Sequence, residues 1–353
     1  MQSFVYNALP SRVIFGSGTI AQLADEIRAL GASRALVLTT QHQQREGEHL
    51  CQQLGNLAVG LYANATMHTP VEVTKDALAV VTSTRADCVV ALGGGSTIGL
   101  GKAIALNTDL PQIVIPTTYA GSEATPIIGQ TENGLKTTQR TLKVLPEVVL
   151  YDVDLSLTLP LNITVTSGLN AIAHAVEALY SKDANPLISQ LAEQGIAALA
   201  GALPRIHKNP EDRDARSDAL FGAWACGVCL GAVGMSIHHK LCHTLGGSFN
   251  LPHAETHSIV LPHATAYNAS AAPEAMARIC RALGGVSDAA GGLYDLAASL
   301  GAPTRLEQIG LREQDLPRAV EIACSSPYWN PRPIEAQGIK QLLDNAFFGR
   351  RPC

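Results

Sequence analysis

The stretch DCVVALGGGSTIGLGKAIAL, residues 87–106, joins an apolar, strand-like run to a glycine turn and the start of a helix. Glycine lets a backbone approach an anion closely, and the first turn of a helix offers free amides and the positive end of a dipole. The stretch matches neither GxGxxG in register nor a phosphate loop that ends in GK[ST]. Its glycines and serine nevertheless favour phosphate binding over a tight turn that serves only packing. Gly94, Gly95 and Ser96 are the predicted contacts.

The residues on either side of this turn alternate between two patterns. Apolar β-branched runs recur at 11–15, 34–40, 56–63, 87–93 and 112–118, with helix-period stretches such as 20–31 and 71–85 between them. This order predicts a mainly parallel sheet covered by helices on both faces. The triplet ENG at 132–134 predicts a β-hairpin, and with it antiparallel strands at the edge of that sheet.

Beyond about residue 155 the pattern changes to helical periodicity, punctuated by proline and glycine. The predicted helices are 168–181, 186–203, 215–236, 253–261, 273–284, 287–300 and 335–347. The predicted fold is therefore an α/β nucleotide-binding domain over residues 1–155, followed by an all-helical domain over residues 156–353.

Composition argues against several classes of function. The 353 residues carry a formal charge of −5 without a basic run, which argues against nucleic acid as a partner. Residues 219–237 are uncharged, but their glycines and cysteines favour a helix buried on all sides over a membrane span. The CxxC of Cys226 and Cys229 is predicted to pack in this helix. The N-terminus lacks the pattern of a signal peptide, so a reducing cytoplasm is the expected location.

A hydroxyl-rich loop, IPTTYAGSEAT at 115–125, follows the next strand. Ligands of open α/β sheets bind beyond the carboxyl ends of the strands. Thr117 and Thr118 are therefore predicted to donate hydrogen bonds beside the glycine turn, although a plain surface loop could have the same composition.

The stretch SGLNAIAHAVEALY, residues 167–180, has the spacing of a metal-binding helix without its acid. Asn170, His174 and Glu177 share one helix face. An acid at the first of these positions could hold a metal ion together with the histidine one turn later. Here that position is an asparagine.

A second stretch, HHKLCHTLGGSFNLPHAETH, holds five histidines between residues 238 and 257. This density predicts a functional site, in which histidines serve as metal ligands, general acids or cations for carboxylates. Convergence of His174, His239 and His253 would offer three neutral nitrogens. A hard divalent ion would then need a carboxylate, which Asn170 cannot provide.

Together these motifs resemble the iron-containing (group III) alcohol dehydrogenase family over nearly the whole chain. The resemblance implies a dehydroquinate synthase-like fold, with a nucleotide-binding α/β domain and a helical domain. It also implies a metal held by a DAxxHAxE helix and two later histidines. Carried over, the metal positions are Asn170, His174, His239 and His253, with His243 beside them.

Four departures resemble one branch of that family, the maleylacetate reductases. Asn170 replaces the metal aspartate, Gly99 stands where an aspartate is usual, PTTYAGSE is one residue shorter than PTTAGTGSE, and MHTP at 67–70 replaces an NP pair. Members of that branch use NADH or NADPH to reduce the carbon–carbon double bond of maleylacetate to 3-oxoadipate, in the degradation of aromatic compounds. The charge that develops is an enolate, less basic than an alkoxide, so we expect that no metal is required. A homodimer acting on a small dicarboxylate is expected, without a membrane partner.

The resemblance assigns roles to the histidines. We expect His243 and His253 to hydrogen-bond the enolate oxygen or supply the proton, with His239 at the same catalytic site. The predicted substrate contacts, which hold a carboxylate or line the pocket, are His238, Lys240, His174, Asn170 and Arg332.

Two further residues are predicted to contact the cofactor. Thr40 stands where related NAD-specific enzymes often have an aspartate that repels a 2′-phosphate. We therefore expect use of both NADH and NADPH, with a preference below ~1000-fold, or ~4 kcal/mol. The family match adds Lys136.

Three alternatives remain open. One is a metal-dependent alcohol dehydrogenase that uses Asn170 as a neutral ligand, and another is a lyase resembling 3-dehydroquinate synthase, whose metal and basic phosphate-binding residues these motifs fit poorly. The third is a non-catalytic nicotinamide-binding protein, against which the dense histidines argue.

Overall fold

The computed structural model describes residues 4–132, 135–325 and 328–352. The chain divides into two compact units. Leu9–Leu159 form one unit, and Pro160–Cys353 form the other together with the N-terminal stretch Met1–Ala8.

A parallel sheet forms the centre of the first unit. Its strands are β1 (Arg12–Gly16), β2 (Ala35–Leu38), β3 (Ala58–Tyr62), β4 (Cys88–Gly93), β5 (Gln112–Pro116) and β8 (Val148–Asp152). Among the described residues their order is β1-β8-β5-β4-β2-β3, and each neighbouring pair is parallel. This confirms the predicted parallel sheet. The central strands β2, β4 and β5 are buried along their whole length, as expected of strands covered on both faces.

The predicted hairpin is present but lies elsewhere. β6 (Ile127–Glu132) and β7 (Leu135–Arg140) pair antiparallel, and their turn residues Asn133 and Gly134 lie outside the described residues. The prediction that they extend the edge of the parallel sheet was wrong, because they form a sheet of their own. The physical reason is polarity: residues 137–140 of β7 are polar and exposed, so this strand does not suit a sheet covered on both faces.

Helices cover both faces of the parallel sheet. They are α1 (Leu23–Ala29), α2 (Gln44–Leu54), α3 (Val71–Thr84) and α4 (Gly95–Thr108). On β2, Val37 contributes to the core under α1 and α2, whereas Leu36 and Leu38 contribute to the core under α3 and α4. Successive side chains of a strand point to opposite faces, so one apolar run serves both cores.

The second unit is helical. Its helices are α5 (Leu161–Leu179), α6 (Pro186–Lys208), α7 (Arg213–Ala232), α8 (Ile237–Phe249), α9 (His253–Asn268), α10 (Pro273–Ala282), α11 (Ala289–Ser299), α12 (Leu316–Cys324) and α13 (Ala336–Phe348). Helix α5 is buried from Thr164 to its end, and it is the helix that carries the NAIAHAVE motif.

The uncharged segment 219–237 is not one helix. Helix α7 ends at Ala232 and α8 begins at Ile237, with an angle of 96° between them. The prediction of a helix running to 237 was therefore wrong, although Cys226 and Cys229 are buried free cysteines in α7, as predicted. Among the described residues no single helix is long and apolar enough to cross a membrane, while this bent pair passes by length and composition alone.

Candidate functional site

The glycine turn lies at the carboxyl end of β4, where Gly94 is the N-cap of α4. Gly93 has a φ of 152°, a value that favours glycine, and a Cβ on Gly94 would lie 2.8 Å from the side chain of Thr118. Gly95 is exposed and Ser96 is half-buried in the first turn of the helix. Because larger residues are excluded here, the amides of that turn stay open to an anion, and their contact with a pyrophosphate stays a prediction.

Segments that follow three neighbouring strands converge on this turn. Gln43 Nε2 donates to Thr117 Oγ1 at 3.1 Å, and the amide of Thr117 donates to the carbonyl of Gly93 at 3.1 Å. The hydroxyls of Thr39 and Thr97 are buried without hydrogen-bond partners in the described structure. Gln43, Thr39 and Thr97 were not singled out from the sequence. Of these, only Thr39 has a recognisable signal, because it is a hydroxyl residue directly after the buried strand β2.

The two remaining predicted cofactor contacts lie on separate strands. Thr40 follows β2, is half-buried, and precedes a short 3-10 turn, Gln41–Gln43. Lys136 belongs to β7, and its side chain lies outside the described part of the chain.

Two of the departures from the family pattern are structurally linked. A side chain at Gly99 would overlap the hydroxyl of Thr69 in the MHTP segment. Thr69 is buried and has a φ of 46°, an unusual conformation for threonine. The loss of an aspartate at position 99 therefore makes room for the altered segment at 67–70.

The shortened loop after β5 is anchored by Lys102, a residue that sequence analysis did not single out. Its Nζ is fully buried and donates to the carbonyls of Ser122, Thr125 and Ile127, and to Thr125 Oγ1, at 2.6–3.0 Å. These bonds hold the backbone between the predicted contact Thr118 and the hairpin.

Glu177 organises the histidine site of the helical unit. Its fully buried carboxylate accepts from Ser236 N and Oγ at 2.9 and 3.0 Å, from the amide of His238 at 2.8 Å, and from His239 Nδ1 at 2.8 Å. The backbone donors belong to the start of α8, so an acid on α5 satisfies amides that a helix N-terminus leaves free. This contact accounts for the break between α7 and α8. Glu177 was noted on the helix face but was given no role.

A directed chain of hydrogen bonds runs from Glu177 to Asn170. Because the carboxylate can only accept, His239 carries its proton on Nδ1. Burial lowers the pKa of His239, so the ring is neutral and its Nε2 is an acceptor. His174 Nδ1, 2.9 Å away, must then be the donor, and His174 Nε2 faces Asn170 Nδ2 at 3.4 Å.

This series of hydrogen bonds leaves one polar atom unpaired and engages both ring nitrogens of His239. Among the described residues, Asn170 Oδ1 is buried without a hydrogen-bond partner. His239 links Glu177 to His174 through its two ring nitrogens, and its predicted place in the catalytic site stays a prediction.

His238 is fully buried beside the ring of His239. Its Nε2 donates to the carbonyl of His257 at 3.1 Å, and burial lowers its pKa to about 3. Because its proton is committed to that carbonyl, a contact of His238 with a substrate carboxylate would require this bond to break, and the predicted contact stays a prediction. Nitrogens of His238, His239 and His257 approach within 4.8 Å of one another, but the first two already donate to other acceptors.

Three predicted residues remain accessible. His243 is exposed on α8, with its ring centroid 6.1 Å from that of His239. His253 is half-buried at the first position of α9. Lys240 is half-buried, with Nζ 5.7 Å from the ring centroid of Tyr328.

Arg332 is not part of this cluster. Its guanidinium donates to the carbonyl of Tyr267 at 3.1 Å and lies 4.2 Å from the centroid of that ring. Tyr267 is ten residues beyond His257 on α9, about 15 Å along the helix axis at 1.5 Å per residue. Arg332 therefore lies away from the imidazoles in this structure, and its predicted contact with a substrate carboxylate stays a prediction.

Comparison with known proteins agrees with this architecture. The model of the iron-containing alcohol dehydrogenase family matches residues 10–153, and the model of the C-terminal part of that family matches residues 164–347. The maleylacetate reductase of Rhizobium sp. (strain MTP-10005) is 57% identical over 352 residues, which cover 100% of both chains.

Solved structures give the same result. The maleylacetate reductase of Agrobacterium tumefaciens is 58% identical with a TM-score of 0.96, over 100% of both chains. An iron-containing alcohol dehydrogenase of Corynebacterium glutamicum is 42% identical with a TM-score of 0.95, over 100% of this chain and 99% of the other. Because the two family models together match nearly the whole chain, this chain belongs to the iron-containing alcohol dehydrogenase family.

Proposed function

We propose that this chain is an NAD(P)H-dependent oxidoreductase that reduces the carbon–carbon double bond of maleylacetate to give 3-oxoadipate. Relatives named maleylacetate reductase, 48–57% identical over nearly the whole chain, support the substrate. The observation that carries the chemistry is the series of hydrogen bonds from Glu177 through His239 and His174 to Asn170. In this series, residues at the positions of the family's metal ligands bond to one another.

The accessible donors of the site suit a conjugate reduction. When bound, the nicotinamide supplies a hydride for the alkene carbon β to the ketone. The negative charge then moves to the ketone oxygen as an enolate, which needs a hydrogen-bond donor and a proton. His243 and His253 are the accessible imidazoles that can provide both. Lys240 is the accessible cation that can hold a carboxylate of the dianionic substrate.

A metal is not required in this proposal. His174 donates from Nδ1 to the Nε2 lone pair of His239. Both residues stand at positions that bind the metal in the family, but this hydrogen bond keeps them from offering their lone pairs to one metal ion together. The remaining position, Asn170, offers a neutral oxygen where a hard divalent ion favours a carboxylate. These features support reduction through hydrogen bonds and proton donation.

The two units carry separate parts of this function in the proposal. The α/β unit, Leu9–Leu159, holds the dinucleotide, with its pyrophosphate on the amides of Gly95 and Ser96, and the helical unit holds the substrate. Thr40 leaves space and no negative charge for a 2′-phosphate, which supports use of both NADH and NADPH. The family resemblance supports a homodimer.

Product identification tests this function. The purified protein, maleylacetate and NADH or NADPH are combined, nicotinamide oxidation is followed, and the product is identified by mass spectrometry and proton NMR. We expect 3-oxoadipate, with its ketone intact. A hydroxy acid that retains the double bond would instead support the alternative function, a metal-dependent alcohol dehydrogenase.

A further inference from the structure

His257 is a buried histidine that lacks hydrogen-bond partners on its ring. It lies one turn into α9, has no exposed surface, and both Nδ1 and Nε2 are unpaired among the described residues. A buried polar atom left without a partner costs about 1–3 kcal/mol. Because an apolar side chain of similar size would avoid this cost, packing does not account for an imidazole at this position.

Four other imidazoles surround this ring. Its centroid lies 4.2 Å from that of His253, 4.8 Å from His238, 5.1 Å from His239 and 6.2 Å from His174. In its neutral form this ring has one N–H and one lone pair, and no group among the described residues uses either of them.

The nearest neighbour is the one that the proposed reduction employs as a proton donor. His253 lies one turn earlier on the same helix, half-buried, with its ring tilted by 51° to that of His257. The rings are in contact, so a rotation of His253 can bring one of its N–H groups to the free lone pair of His257.

We propose that His257 is a positioning residue that orients and stabilises His253 during the reduction, an inference that rests on the proposed function. While His253 carries the proton for the enolate, one N–H faces the substrate and the other donates to His257. The substrate-facing proton passes to the enolate, both imidazoles end neutral, and no proton leaves His257. A neutral acceptor suits this position because a carboxylate would add negative charge beside a dianionic substrate.

Two leucine variants on one helix test this inference. His257→Leu removes the lone pair, and His263→Leu is the matched control, because His263 is also buried on α9 with an unpaired Nε2 but lies away from the cluster. We expect His257→Leu to raise the thermal midpoint or leave it unchanged, and to lower kcat with maleylacetate by about tenfold or more. His263→Leu should leave kcat within about twofold of wild type. His257→Gln, which restores an acceptor, should recover part of the loss.

The outcomes separate the inference from a structural role. A kcat for His257→Leu close to wild type would overturn it, as would a fall in kcat accompanied by a lower thermal midpoint and no recovery in His257→Gln. If the wild-type protein does not turn over maleylacetate, the proposed function fails, and only the thermal midpoints then bear on the inference about His257. A midpoint of His257→Leu below that of wild type overturns the inference. A midpoint above it supports the view that the imidazole of His257 is not there for stability.

Discussion

Replacing Glu177 by glutamine tests the central contact of the histidine site. The side chains are nearly the same size, but the amide nitrogen is a donor that faces donors. If the nitrogen takes the place of Oε2, the amide of Ser236 and Nδ1 of His239 lose their acceptor. If it replaces Oε1, the amide of His238 and the hydroxyl of Ser236 lose theirs.

The expected loss of stability follows from the number of hydrogen bonds that the substitution removes. Each orphaned buried donor costs about 1–3 kcal/mol, and hydrogen bonds to a charged acceptor contribute about 1.5–3 kcal/mol each. Loss of two such bonds therefore lowers the free energy of unfolding by about 3–6 kcal/mol. The hydroxyl of Ser236 can rotate, so the lower end applies if the nitrogen takes the place of Oε1.

Urea unfolding followed by circular dichroism measures this difference. The matched control is Glu193→Gln, because Glu193 accepts from Arg278 and Arg281 but lies partly exposed, where such pairs contribute about 0–1 kcal/mol. Nitrogen-15 NMR of the histidines adds a second readout, in which His239 should lose its Nδ1–H form. A loss of stability for Glu177→Gln no larger than that of Glu193→Gln, with the tautomer unchanged, would refute the assigned role of the carboxylate.

Four further predictions follow from the two sites. His243→Ala should lower kcat with maleylacetate by about 100-fold, the lower range for general acid catalysis, and near wild-type turnover would remove this residue from the chemistry. Asn170→Asp restores the acid of the family's metal helix, so this variant should retain zinc or iron through dialysis where wild type does not; equal metal content in both would contradict this. Thr40→Asp should weaken NADPH relative to NADH by about tenfold or more, measured as the ratio of kcat/KM, because a carboxylate repels a 2′-phosphate; an unchanged ratio would place the 2′ position elsewhere. Burial lowers the pKa of His238 to about 3 and that of His263 to about 4. Between about pH 6.5 and 4 the unfolded chain therefore binds more protons than the folded protein. The free energy of unfolding should fall as the pH falls through this range, by up to ~1.4 kcal/mol per pH unit for each histidine. Urea unfolding across this range checks the sign, and a constant or rising stability on acidification would contradict it.

The local pattern of apolar residues predicted which segments form the strands of the sheet, but not the order of those strands. The apolar runs at 34–40, 87–93 and 112–118 correspond to β2, β4 and β5, because strands covered on both faces leave an unbroken apolar signal. The place of β8 between β1 and β5 depends on contacts between distant residues, which no local pattern records. The break between α7 and α8 was missed for the same reason, since its partner Glu177 lies about 60 residues away.

The histidine site shows where sequence reasoning stops. Helical spacing placed Asn170, His174 and Glu177 on one face of α5. Which imidazole donates and which accepts depends on a bond between His174 and His239, 65 residues apart, which helical spacing does not reveal. The stacking of Arg332 on the ring of Tyr267 likewise depends on a contact between distant residues that no local pattern records.

The central claim is that this site reduces maleylacetate through hydrogen bonds and proton donation without a metal. The most direct test is NADH oxidation with maleylacetate after exhaustive chelation, repeated with added iron, zinc or manganese. The account predicts full activity after chelation and no gain on adding metal. Activity that appears only with metal would mean that His174, His239 and His253 still bind an ion, and the mechanism proposed for this chain would be wrong.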